Sequence, residues 1–266
     1  MVGPIVAGLV IGFGLGSAHP AQAAEAQAAP VQANRERAAI VDLLDRSVTT
    51  GDVEAISAAR DATRRLLELT PTEEERDPLR YLLAYANWRL LGANPPPDGS
   101  ERDALADEAE SMLAASLAGG DMNVEALALL GAVYGMKIGS STWRGMTLGR
   151  RAARAFDSAR AIDERNPRFL LLKGLDVYHR PAMFGGGLER AERWFRAALG
   201  FFQAQPADAP WPNWGLLDAH VWLGRTLARL GAVDGAREQY ETVLQLEPDH
   251  AFVRDFLLPR LESRSP

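Results

Sequence analysis

The 266 residues contain no cysteine. Disulfides, thiolate metal sites, cysteine nucleophiles and lipid attachment through a cysteine are therefore all excluded. Lysine is nearly missing as well. Only Lys137 and Lys173 occur, so the cationic side chains are almost all arginine. Runs of β-branched residues, the usual mark of strands, are sparse. The chain also lacks a basic surplus. Its net charge is -6 and its pI about 5.4, whereas a nucleic-acid binder usually carries a basic footprint, so no nucleic-acid partner is expected. Beyond the first segment no apolar stretch reaches the roughly 20 residues that span a bilayer, and the mature chain should have no membrane span.

Alanine and leucine dominate what is present, and the composition points to helix throughout. From Val2 to Gly16 the chain is apolar or glycine, and Ala21-Gln22-Ala23 follows as an Ala-x-Ala cleavage site. This pattern resembles a signal peptide, although no Lys or Arg precedes the apolar run. The expected organisation is a signal peptide over 1–23, a flexible linker over 24–33 and a helical repeat domain over 34–266. The expected location is periplasmic or secreted.

Helix-period segments separated by Gly, Pro and Asn-Pro predict helices at roughly 34–48, 52–69, 77–92, 101–118, 123–138, 147–163, 167–178, 187–204, 214–230, 233–246 and 250–262. They repeat. The clearest unit runs from Leu217 to His250, with Leu223-Gly224, Leu227, Gly231, Ala236, Tyr240, Val243-Leu244 and Pro248. Gly224 and Ala236 are small, so the two helices can approach closely; Tyr240 is expected to fill the space towards the next repeat; Pro248 ends the second helix. The second-helix signature recurs as Ala152, Phe156, Ala159 and as Ala191, Phe195, Ala198, each with a first-helix glycine upstream, Gly131 and Gly174. A weaker copy holds Ala59, Leu66-Leu67 and Pro71.

The 34-residue spacing and these residues resemble the tetratricopeptide repeat (TPR) consensus, with Val243 in place of the usual alanine. The chain is also similar, over Asn123 to Leu261, to exported bacterial TPR proteins of unassigned activity. That likeness rests on Glu125-Ala126-Leu127, Asn166-Pro167-Arg168, Arg180-Pro181-Ala182-Met183-Phe184-Gly185-Gly186-Gly187 and Trp214-Gly215. The resemblance implies an all-α, right-handed α-solenoid of about five TPR-like helical hairpins plus a C-terminal capping helix, and it implies no known reaction.

Two turns break the period. From first-helix glycine to second-helix alanine the distance is twelve residues in the last unit, seventeen from Gly174 to Ala191 and twenty-one from Gly131 to Ala152. Equivalent turns of a solenoid emerge along one edge, so the two insertions should meet there. They would form a candidate patch of Trp143, Arg144, Met146, His179, Arg180, Met183 and Phe184. It reads either as a small pocket with cationic heads or as a pair of loops that cover helix ends.

The other candidate surface is the concave face lined by first helices: Tyr81, Tyr85, Arg89, Arg168, Leu175, Tyr178, Arg225 and Arg229. Such a mix of aromatic rings and arginines suits extended peptides or partner helices. The Lys/Asn set by which some TPR domains hold a peptide carboxy-terminus is not reproduced. Of the four histidines no two have helical ligand spacing, and no phosphate loop or nucleophile elbow occurs. The expectation is a non-catalytic scaffold without metal or cofactor, binding a protein or peptide in the cell envelope. The alternative is a small-molecule-binding accessory of a transport system.

Overall fold

A computed structural model describes residues 20–93, 95–119, 123–138, 142–206 and 212–263, side chains excepted at 20–33 and 142–144. Eleven α-helices follow one another among the described residues, without a strand: α1 (Pro20–Thr50), α2 (Val53–Leu69), α3 (Glu73–Leu91), α4 (Gly99–Ala118), α5 (Val124–Ile138), α6 (Thr142–Ile162), α7 (Pro167–His179), α8 (Leu188–Gln203), α9 (Leu216–Leu230), α10 (Val233–Leu246) and α11 (Leu258–Glu262). The expected signal segment lies outside the described residues up to residue 19.

Side chains start the helices. Asp52, Asp98, Asn123 and Asn166 each accept backbone N–H bonds from the first turn that follows. This satisfies donors a helix start leaves open. Thr72 accepts from the Glu75 N–H and bonds its carboxylate, which places Glu73-Glu74-Glu75 inside the first turn of α3. The helix therefore begins four residues before the expected 77, since Pro78 is tolerated so near the start. The backbone of 24–33, expected as a linker, continues α1, in keeping with the high helix propensity of its alanines.

Packing follows the repeat. The pairs α1/α2, α3/α4, α5/α6, α7/α8 and α9/α10 are antiparallel neighbours, and the solenoid stacks them in chain order. Inside three pairs the signature is visible as contact. A methyl group at Gly131 would meet the Phe156 ring at 2.9 Å, one at Gly174 the Phe195 ring at 2.6 Å, and one at Gly224 would press on Tyr240. The second-helix aromatic thus sits on the first-helix glycine of its own pair, which corrects the expectation that Tyr240 reaches towards the next repeat. Phe195 and Phe156 are almost wholly buried, and each such burial stabilises by roughly 1.5–3 kcal/mol.

One step of the stack is irregular. Elsewhere a second helix packs on the following first helix, as α2 on α3, α4 on α5 and α8 on α9; α6 scarcely touches α7, and α5 packs against α7 instead. The longer insertion is partly absorbed here, because α6 starts at Thr142 rather than near 147. The C-terminal cap is also modified. Pro259 has no N–H to donate, and the chain passes through a π-helical turn, Val253–Leu257, before α11. Val253, Leu257 and Leu261 cover the end of the core, and Phe252 and Phe256 stack at the surface with centroids 5.3 Å apart.

Candidate functional site

The first-helix face divides into a closed part and an open part. In the closed part, Arg89 of α3 donates to both carboxylate oxygens of Asp218 of α9, at 2.8 and 2.5 Å, and its Nε donates to the Tyr85 hydroxyl at 2.9 Å. The bond spans 129 residues, so it ties the second hairpin to the last. Trp214, just before α9, stacks on Tyr85 at 4.6 Å, lies 5.8 Å from Trp88 and donates to the Tyr81 hydroxyl at 3.3 Å. Gly215 takes φ +114°, and a methyl there would strike the Phe202 ring at 2.6 Å, so the Trp214-Gly215 pair lets α9 start deep inside the curve. Burial raises the Tyr81 and Tyr85 pKa values above the ordinary phenol range.

Charge in this part is paired at close quarters. Asp45 of α1 is raised to about 6, first by burial and then, against the pull of Arg89, by Asp218 and Asp42. His250, buried beside the same ions, is held below its ordinary pKa by loss of solvent. Arg168 is 2% exposed, and its Nη1 lies 3.4 Å from Glu125. Burial pulls its pKa down. Of the expected concave-face residues, Tyr81, Tyr85, Arg168 and Leu175 are therefore interior, and Arg89 is largely covered beside them.

The open part lies along α7 and α9. Arg229 sits 5.0 Å from the Tyr178 ring, and Arg225 sits 4.0 Å from the Trp222 ring and 5.9 Å from Phe252. Tyr178, His179 and Trp222 meet edge to face with centroids 4.9–5.4 Å apart. Neither arginine has a carboxylate partner among the described residues. Arg225 is lowered from its usual pKa, first by burial. His179 is lowered too, by loss of solvent and then by Arg225 and Arg229. Tyr178, Arg225 and Arg229 come together as the sequence suggested, and His179 joins them from the other candidate set. Trp222 and Phe252 were missed, although Trp222, Arg225 and Arg229 share one helical face at i, i+3, i+7.

The other loop candidates go elsewhere. Arg180 turns to Asp176, donating to both oxygens at 2.7 Å. Met183 and Phe184, on a 3-10 turn at Ala182–Phe184, are 82% and 64% exposed, and Met146 is 51% exposed. They do not cover helix ends. The side chains of Trp143 and Arg144 lie outside the described residues, although their backbone belongs to α6.

This geometry can be set beside known proteins. Among solved structures, a thermophilic TPR protein of Thermus thermophilus aligns with a TM-score of 0.54 at 20% identity, covering 84% of this chain and 97% of that one. The HusA haemophore of Porphyromonas gingivalis aligns with a TM-score of 0.54 at 23% identity over 75% of this chain and 93% of that one. The Cut9–Hcn1 hetero-tetramer of the APC/C aligns at 0.50 and 18% identity over 87% of this chain, which spans 40% of the matched chain. The chain has a TPR-like fold. No family model and no curated protein matches it. On this TPR-like solenoid, no helix among the described residues is long and apolar enough to cross a membrane, and no cluster of three or more His, Asp or Glu able to hold a metal occurs among them.

Proposed function

We propose that this chain is an exported, non-catalytic TPR scaffold in the cell envelope, and that it holds a protein or peptide partner on the open surface of α7 and α9. One observation carries the reading: Arg225 and Arg229 lie among the rings of Tyr178, Trp222 and Phe252 without a carboxylate partner among the described residues. A cation packed against rings and left without a counter-ion gains most when an anionic group arrives. The rings supply rigid apolar area beside it, as hot spots of interfaces do. An acidic segment carrying an apolar or aromatic side chain fits both features.

An enzymatic reading would draw on the other convergence of titratable groups, Asp45, Arg89, Asp218 and His250. There both Asp218 oxygens are taken by Arg89, and Tyr85, Trp88 and Trp214 surround the guanidinium within 5.7 Å. Both partners keep only a small exposed fraction, 13% and 18% of their side chains. The pair acts as a clasp.

A displayed random-peptide library tests the proposal. Selection on the purified chain should enrich acidic peptides with an apolar neighbour, and Arg225→Glu/Arg229→Glu should abolish their binding in fluorescence anisotropy. Peptides that bind the variant as well as the parent, or a selection that enriches no acidic sequence, would sink it.

A further inference from the structure

A cleft of about 550 Å³ lies between α7, the inserted loop that follows it and α8. Its position is separate from the α7/α9 surface. Leu170 and Val177 of α7 and Trp194 and Ala197 of α8 give it an apolar floor. The stretch of α7 from Leu170 to Val177 is two turns, about 10 Å long. Four cations surround this floor: Lys173, Arg180, Arg190 and Arg193. Among them stands one carboxylate, Asp176, which accepts from Lys173 at 3.0 Å and from Arg180 at 2.7 Å. Arg190 and Arg193 have no ion-pair partner among the described residues. Nearby Glu192 is engaged with Arg196, and Glu189 is exposed on the same turn of α8 as Arg190.

The rim is built before any ligand arrives. The inserted loop is held by bonds from the N–H groups of Arg180, Phe184, Gly185, Gly186 and Gly187 to carbonyls of Asp176, Pro181, Ala182, Pro181 and Val177. Gly186 is packed so tightly that a methyl would collide with the Arg180 carbonyl. The insertion therefore fixes Arg180 and Gly185 at the mouth, and its exposed Met183 and Phe184 are carried on a rigid turn. Volume, apolar floor and cationic rim suit a small ligand lying in an open cleft.

We propose that this cleft binds a small amphipathic anion, an acidic head on an apolar chain, with the chain along Leu170, Val177 and Trp194 and the head among Arg180, Arg190 and Arg193. Neither part alone suffices: the floor supplies burial, and the surplus of cations over Asp176 supplies attraction for the head.

Calorimetry on the purified chain with decanoate, decanol and acetate separates these contributions. Decanoate should bind at least ten-fold more tightly than decanol, which keeps the chain, and than acetate, which keeps the charge. Arg190→Gln/Arg193→Gln, at two exposed positions, should weaken decanoate at least ten-fold without moving the melting temperature. Arg225→Glu/Arg229→Glu, on the other surface, should leave it unchanged. Absence of decanoate binding at millimolar concentration, equal binding of decanol, or loss in the Arg225/Arg229 variant instead would overturn the proposal. So would co-sedimentation with phosphatidylglycerol vesicles without binding of free decanoate, which would make the surface a membrane contact.

Discussion

Asp218, Arg225 and Arg229 stand seven and four residues apart on α9, yet the two ends of this row have opposite fates. At the first, a carboxylate meets Arg89 from the second hairpin under the rings of Tyr85, Trp88 and Trp214. Two to three turns later, arginines meet similar rings and no acid among the described residues. The same residue types thus make a clasp at one place and, at the other, the surface proposed to receive a partner. The difference is the partner that the curvature of the solenoid delivers.

The comparison breaks most visibly at the clasp. Arg89→Met leaves the half-buried Asp218 without its partner, and it should cost about 1.5–3 kcal/mol of unfolding free energy. Arg225→Met removes only ring contacts and should change stability by about 1 kcal/mol or less. Equal losses in urea unfolding would erase the distinction.

An effect of similar size concerns pH. Asp45 is raised to about 6 from 3.8 in the folded chain. The folded state therefore holds its proton more firmly than the unfolded state does between these values. Asp45 thus lowers stability as pH rises from 4 through 6. Asp45→Asn should remove this penalty, gaining about 2–3 kcal/mol at pH 7.5 and little at pH 4. His179, His220 and His250 have lowered pKa values and act in the opposite direction. The informative quantity is the difference between parent and variant across pH, and a flat difference would contradict the placement of Asp45.

The smallest expected effect belongs to the inserted loop. Phe184 is mostly exposed, so Phe184→Ala should shift stability by about 0.5 kcal/mol or less. Phe195→Ala, at a buried ring on Gly174, should cost about 3–5 kcal/mol. A large loss for Phe184→Ala would mean that the loop covers core after all.

What the sequence made legible is what depends on local period. The small and aromatic positions at Gly131, Gly174 and Gly224 and at Phe156, Phe195 and Tyr240 were legible because a 34-residue repeat marks them, whereas the seating of each ring on the glycine of its own pair came from the structure. Of the residues expected on the concave face, Tyr81, Tyr85 and Arg168 are interior. Period says which side a residue is on, and it carries no information on how far the superhelix closes. That closure depends on Trp214 and on Arg89 with Asp218, contacts 129 to 133 residues apart. The cleft of Lys173, Arg190 and Arg193 was hidden likewise, since it is lined jointly by α7, the inserted loop and α8, whose mutual placement the period does not give.

The account stands or falls on whether the arginines of α9 serve a partner or the fold. Thermal melting of Arg225→Gln/Arg229→Gln, alone and with an acidic peptide selected on the parent chain, addresses this directly. The account expects the variant to melt within a few degrees of the parent and to show no upward shift with peptide, where the parent shows one. A variant that melts far lower without peptide, or that is stabilised by peptide as much as the parent, would contradict it.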